Sequence, residues 1–475
     1  MARLYSAATF LAAVAASPTS RGRSTGTATV DLSKDHGPAA ALGSGFIYGF
    51  PDNGTSVSNQ VPSHFLTDIS FRTSRAGGAQ IDAKGWSAGG LEGYQARFDS
   101  GLSNYRTTRH YGGDFILLPH DIWGADGGQG EESHYPGDDG NWTSMETFLT
   151  QLTSDMKAND MIEGVAVDLW NEPDIDIFWN RTWDQYLEYW HRSYALFRDL
   201  LPEVLISGPA MAHSPNLTDP NWRSWLATAE HHNAIPDIYA WHQIGDWERE
   251  PDTTIPVFHT MRQQHHLPHR PIDINEYAWP TEQNPASSAW YLAQLERHDL
   301  RGLRANWGSG PALHDFLGGL LANTSAGKYY PNGEWQLYKY YAGMRGRRAS
   351  TAASEDLLFD VFATVADTDT TGDGTAAAAA AVEKRSASHI TILAGARAVQ
   401  AAATAYDIAI SGLNPNVTAV EVRTWRFDWA GPEGEVGRPR DLGVQEYVVG
   451  DGEVRLVYDP PDNATAYAYE FFVGS

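Results

Sequence analysis

Short β-prone apolar runs recur through the first two thirds of the chain, at residues 45–49, 69–73, 115–118, 164–169, 204–207, 238–241, 272–274 and 303–306. Several of the intervening segments repeat apolar positions at helical spacing, clearest over 182–200 and 286–298. The eight runs predict eight strands alternating with helices. From position 48 to position 305 the seven intervals average about 37 residues, slightly above the ~31 that ~250 residues in eight units would give. The predicted fold class is therefore α/β, a (β/α)8 barrel. A doubly wound open sheet would carry a Gly-rich phosphate turn after its first strand, whereas Gly43-Ser44-Gly45 precedes it. Residues 333–346 predict a helix that closes the barrel.

After Arg348 the pattern becomes a series of strands bounded by Gly, Pro, Asn and Asp turns, at 357–365, 389–393, 406–410, 418–427, 446–448, 454–458 and 466–473. That predicts a C-terminal β-sandwich. Residues 27–32 alternate Thr27, Thr29 and Asp31 with Ala28, Val30 and Leu32, and the eight barrel strands leave this segment no vacancy there. It is expected to join the sandwich. The predicted plan is a barrel over 36–346 and a sandwich over 347–475 plus strand 27–32. Residues 367–381, with six consecutive alanines, are expected to form a hairpin tip. Residues 121–143, rich in Gly and Asp and carrying Trp123 and Trp142, read as a long loop on the face where βα loops build sites. Its two tryptophans are expected to form an outer ligand subsite.

Composition narrows the function classes. Acidic residues number 59 against 34 Lys plus Arg, for a formal charge of -25, so the field opposes polyanions. The expectation is no nucleic-acid partner and no membrane partner. With no cysteine in the chain, thiolate nucleophiles, disulfides, Cys-ligated zinc and iron–sulfur clusters are excluded. The 17 Trp, 22 Tyr and 17 Phe supply flat apolar faces with polar handles, which suit sugars. Residues 1–17 read as a signal peptide: a positive start at Met1-Ala2-Arg3, an apolar stretch over 4–16, and the small-x-small site Ala13-Val14-Ala15. Sequons at Asn53, Asn141, Asn180, Asn216, Asn323, Asn416 and Asn463 agree with a secreted, extracellular glycoprotein.

Trp170-Asn171-Glu172-Pro173 follows the fourth predicted strand, and Asn275-Glu276-Tyr277 ends the seventh, 104 residues on. Strand C-termini of a barrel converge on one face, so Glu172 and Glu276 are expected to share a pocket. Glycosidic cleavage needs such a pair, one carboxyl to protonate the departing oxygen and one carboxylate to meet the anomeric carbon. The run Asp168-Leu169-Trp170-Asn171-Glu172-Pro173-Asp174 resembles the acid/base strand of clan A retaining glycoside hydrolases, and is most similar to family 39, which holds β-xylosidases and α-L-iduronidases. Ile272-Asp273-Ile274-Asn275-Glu276-Tyr277 is similar to that family's nucleophile strand, and Asp237-Ile238-Tyr239-Ala240-Trp241-His242 to its sixth strand. The resemblance spans about 45–345 and implies a retaining glycosidase without cofactor or metal, acting on an oligo- or polysaccharide of plant cell walls or a related glycan.

Glu172 is accordingly expected to be the acid/base and Glu276 the nucleophile. Arg75 and His242 are the nearest candidates to keep Glu276 ionised. Asn171 is expected at the sugar's 2-OH, Trp279 and Trp307 to stack on a ring, and His120 to touch substrate. The pairs His231-His232 and His265-His266 lack metal-ligand spacing with a carboxylate and read as solvated or capping residues. A non-catalytic glycan-binding barrel, or a glycosidase of another family in the clan, are the competing readings.

Overall fold

The computed structural model describes residues 24–129, 133–244, 250–308, 313, 317–323, 327–367, 387–397 and 403–474. The expected signal peptide, and the expected hairpin tip beyond Asp367, lie outside the described residues. Among those described, no helix is long and apolar enough to cross a membrane.

Strand β1 (Thr27–Pro38) precedes a closed parallel barrel of β2 (Gly45–Ile47), β3 (Thr73–Ala76), β4 (Asp114–Leu117), β5 (Val165–Asp168), β6 (Leu205–Met211), β7 (Ile238–Gln243), β8 (Ile272–Tyr277) and β9 (Arg301–Arg304). Closure is made by Gly45 and Phe46 of β2 pairing with Leu303 and Arg304 of β9. Between strands run α1 (His64–Thr67), α2 (Gly85–His110), α3 (Pro119–Trp123), α4 (Thr143–Ala158), α5 (Trp183–Leu200), α6 (Pro220–His231), α7 (Pro251–Gln264) and α8 (Pro285–Arg297). The periodic segments 182–200 and 286–298 are α5 and α8, N-capped by the side chains of Thr182 and Asn284.

One strand sits four residues later than its pattern predicts. Ile69 and Phe71 are buried outside the barrel with Phe46, Phe50 and Trp335, so the second strand is the polar Thr73–Ala76. The apolar run was packing a satellite core at the barrel's base. The expected long loop is also partly helical: α3 occupies its start, and Trp123 is 2% exposed, against Phe148. Trp142 lies beneath the Arg192 guanidinium. Neither tryptophan lines the cleft described below, so the expected outer subsite is corrected to core packing; of that loop, Asp121, Asp126, Gly127 and Gly128 reach the cleft.

After β9 come a short hairpin, β10 (Leu321–Asn323) and β11 (Tyr329–Pro331), and the closing helix α9 (Gly333–Gly343). The remaining strands are β12 (Arg347–Ala352), β13 (Phe359–Asp367), β14 (Ala387–Ala396), β15 (Tyr406–Ser411), β16 (Ala419–Phe427), β17 (Arg440–Val448), β18 (Val454–Tyr458) and β19 (Ala466–Gly474). They form one sheet with β1 in the order β17-β16-β19-β14-β13-β12-β1-β15-β18. The sheet folds over itself into a sandwich: Tyr458 of β18 packs 4.8 Å from Phe359 of β13, and the Tyr469 hydroxyl of β19 donates to the Val457 carbonyl. β1 is antiparallel to β12 and parallel to β15, with Ala28, Val30 and Leu32 in the sandwich core.

Sandwich and barrel share a third core, in which α8 and α9 meet Phe362, Leu393, Phe427 and Ala468. At its edge Arg297 of α8 donates to Asp252 of α7 at 2.6 Å and grips Asp360 of β13, whose side chain is fully buried. Replacing Arg297 with methionine would remove the guanidinium shared by two carboxylates in this seam, leaving Asp252 with His298 and Gln294 and the buried Asp360 with the Gln294 amide. A loss of about 3–5 kcal/mol is expected, read as the denaturant midpoint at unchanged slope.

Candidate active site

Four barrel strands deliver charged side chains to one point. Arg75 lies in β3, Glu172 follows β5, His242 lies in β7 and Glu276 in β8. Arg75 is 1% exposed and uses three donors: Nε to Asp168 Oδ2, Nη1 to Glu276 Oε1 and Nη2 to Asn171 Oδ1, each at 2.7 Å. The guanidinium thus fixes Glu276 and Asn171 together, and Asp168, held also by the Asn275 amide at 2.7 Å, anchors it from behind. The chain can turn so sharply after Arg75 because Gly77 and Gly78 follow. A Cβ on Gly77 would stand 2.3 Å from the Leu118 carbonyl, and Gly78 has φ +89.

His242 is fully buried between the glutamates. Its Nδ1 is 2.6 Å from Glu172 Oε1, and its Nε2 lies 3.7 Å from Glu276 Oε1. Burial opposes charge on this imidazole, but Glu276 and Glu172 outweigh it and hold the pKa above 6.5. Burial also pushes the Glu276 carboxyl above its ordinary 4.5, opposed by His242 and Arg75 and assisted by the Glu172 charge. Glu172 itself stands on backbone with φ +42, held by its N–H on the Ala210 carbonyl at 2.9 Å.

One atom from each of Glu172, His242 and Glu276 lies within 4.8 Å of the others. Such a cluster raises the question of a metal ion. Neighbouring ligand atoms around a tetrahedral zinc with bonds of about 2.0 Å stand roughly 3.3 Å apart. The 2.6 Å contact of His242 with Glu172 is a hydrogen bond's, and Arg75 already sits on Glu276.

The cleft above this point measures about 780 Å³. Of the residues the sequence nominated, Glu172, Glu276, Asn171, Arg75, His120, Trp279 and Trp307 line it and His242 lies directly beneath, whereas Trp123 and Trp142 do not reach it. Trp279 and Trp307 are 43% and 40% exposed and meet edge-to-face, centroids 4.7 Å apart. His120 is 2% exposed; its Nε2 contacts Asp121 Oδ1 at 3.0 Å, and its Nδ1 has no hydrogen-bond partner among the described residues. Burial works against the Asp121 charge, yet His120, the Tyr48 hydroxyl and Arg97 hold its pKa below 3.8.

Asp168, Asn275, Tyr48 and Asp121 are the supporting residues that pattern reading passed over. The available signal was a charged residue ending an otherwise apolar strand, Val-Ala-Val-Asp at 165–168. Arg109 ends α2 and pairs with Glu163 and Asp114 away from the cleft. The paired surface histidines at 265 and 266 contact Glu230 and take no part in the cleft.

The chain thus combines an eight-stranded parallel barrel, glutamates at the fourth and seventh barrel strands, and a fused β-sandwich. No known family profile matches the chain. It is 23% identical over 225 residues to the 3-O-alpha-D-galactosyl-alpha-L-arabinofuranosidase of Bifidobacterium longum subsp. longum, a match covering 46% of this chain and 17% of that enzyme. Among solved structures it superposes on N2152 from Neocallimastix frontalis with TM-score 0.71 and 18% identity, over 95% of this chain and 100% of that one. It superposes on a GH39 β-xylosidase from Caulobacter crescentus with TM-score 0.53 and 14% identity, over 94% and 99%. The fold is shared with both of these solved structures.

Proposed function

We propose that this chain is a secreted retaining glycoside hydrolase that cleaves O-glycosidic bonds in plant cell-wall or related glycans with two glutamates and no cofactor. The observation that carries the reading is that a carboxylate oxygen of Glu172 and one of Glu276 lie within 4.8 Å of each other, with His242 between them. Retaining sites hold their carboxyls about 5–5.5 Å apart, whereas inverting sites leave roughly 6.5–9.5 Å for a water between them. Glu276, oriented by Arg75, attacks the anomeric carbon as Glu172 gives a proton to the departing oxygen. The glycosyl-enzyme ester then has no carboxylate charge at Glu276, and Glu172, now ionised, takes a proton from the water that resolves it.

The remaining lining fits a sugar. With the Asn171 Oδ1 occupied by Arg75, the amide's N–H donors are left for the 2-OH, where contacts strengthen in the transition state. His120 directs Nε2–H to Asp121, so its Nδ1 lone pair is an acceptor for a ring hydroxyl. Trp279 and Trp307 supply apolar faces for a second ring. The N-terminal pattern and the exposed sequon residues Asn53, Asn141, Asn180, Asn216 and Asn416 support secretion and glycosylation.

The test is a panel of 4-nitrophenyl glycosides that starts from α-L-arabinofuranoside and β-D-xylopyranoside, followed by proton NMR of the first-formed sugar. The expected result is turnover of at least one member with the initial product in the substrate's own anomeric configuration. An initially inverted product would remove the double displacement, and binding without turnover would favour a lectin-like barrel.

A further inference from the structure

Arg397 follows strand β14 of the sandwich, yet its side chain is 2% exposed and reaches into the barrel. It donates through Nε to Glu282 Oε1 and through Nη1 to Glu250 Oε1 at 3.1 Å, and its guanidinium lies over the Trp290 ring of α8. Both glutamate side chains are only 4% exposed. Glu250 stands at the start of α7, in the connection that leaves β7 and His242. Glu282 stands in the connection that leaves β8 and Glu276. A cation from the second domain therefore clamps the two βα connections that follow the catalytic strands.

The clamp reaches the cleft in one further step. Glu282 Oε2 accepts the backbone N–H of Trp279 at 2.9 Å and lies 2.9 Å from the Tyr291 hydroxyl. Trp279 packs on Trp307, whose indole N–H donates to the Ala278 carbonyl at 3.0 Å. The aromatic wall is thus hung from a carboxylate whose other oxygen belongs to Arg397. Among the described residues, Glu282 is held by Arg397, the Tyr291 hydroxyl and the Trp279 backbone, and Arg397 is the cation of that set.

We infer that Arg397 is a positioning residue for substrate: through Glu282 it sets the placement of Trp279 and Trp307, so that the sandwich shapes the part of the cleft that holds the sugar. The inference rests on the glycosidase reading of the site above. It gives a reason for a hydrolytic barrel to keep this sandwich fused to it: Glu282, a carboxylate taken out of water, is met by a cation that the sandwich brings. It also separates affinity from chemistry, because Arg397 touches neither Glu172 nor Glu276. Its loss should weaken binding of ground state and transition state alike.

The experiment labels the protein with 5-fluorotryptophan and assigns the Trp279 and Trp307 resonances by their disappearance in Trp279→Phe and Trp307→Phe. In Arg397→Met these two resonances should shift or broaden while those of Trp170 and Trp190 hold. On the aryl glycoside that the wild-type enzyme turns over, KM should rise about tenfold with kcat within about twofold. Arg397→Met added to Trp279→Ala should bring no further loss, since the first acts through the second. Should Arg397→Met fail to fold, Glu282→Gln keeps the volume and gives an amide that cannot accept from Arg397 and Trp279 together; the same resonance shifts are expected. Unmoved resonances, or losses that multiply in the double variant, would overturn the inference. A wild-type protein that turns over no glycoside would instead sink the function, and the fluorine spectra would still decide the placement.

Discussion

Glu276→Ala is expected to lower kcat by about 10⁴-fold or more on every glycoside tested, whatever the leaving group. Without the carboxylate there is no covalent intermediate, and the first step loses both bond formation and the negative charge that meets the oxocarbenium-like carbon. A 10⁴-fold loss corresponds to roughly 5.4 kcal/mol of transition-state stabilisation. The fold should survive, because the carboxyl is above the barrel core and Arg75 keeps Asp168 and Asn171 as partners. The wild-type pH profile gives an independent reading of the same group. Glu276 must be ionised to attack, and burial holds its pKa above 4.5, so the acidic limb of kcat/KM should fall above pH 4.5. The alkaline limb is expected where His242 loses its proton. With His242 held above 6.5 by the two carboxylates, that limb should lie above pH 6.5. Activity loss confined to aryl glycosides with poor leaving groups would take the nucleophile role away from Glu276.

The barrel was legible because its strands are buried in a repeating order, and the site because barrel topology converts two motifs 104 residues apart into neighbours. Glu172 and Glu276 could be named from strand ends together with the resemblance of those strands to a known family, and Asn171 and His242 followed from the same motifs. What pattern could not supply were pairings that depend on distant chain. Ile69 and Phe71 look like a strand until Phe46, Phe50 and Trp335 are present to bury them elsewhere. Arg347–Ala352 is polar and unremarkable in sequence, yet it becomes a strand because β1 and β13 are on either side to accept its backbone. The Arg397 clamp joins residues 115 and 147 positions apart, in segments with no shared periodicity. Trp123 was misplaced for the complementary reason: a Gly-rich stretch suggested a mobile loop, but Pro119 starts a short helix that drops the indole against Phe148.

Glu172→Ala should separate the two half-reactions in a way that no structural lesion can. General acid catalysis is worth about 10²–10⁴-fold, and only where the departing oxygen needs a proton. Unactivated disaccharides or alkyl glycosides should therefore lose close to the full factor. Aryl glycosides with acidic phenols should still form the glycosyl-enzyme, which then accumulates, because the base that activates water is also missing; KM should fall along with kcat. The emptied position lies beside His242 and opens to the cleft, so a small anion can reach the anomeric carbon from the acid/base side. Azide needs no general base, and its addition should restore turnover and yield a glycosyl azide that keeps the substrate's configuration. The configuration of that azide is the decisive measurement. A retained product requires attack on an intermediate already bonded to Glu276, from the face that Glu172 had occupied. An inverted azide would mean direct displacement on the substrate and would reverse the assignment of the two glutamates.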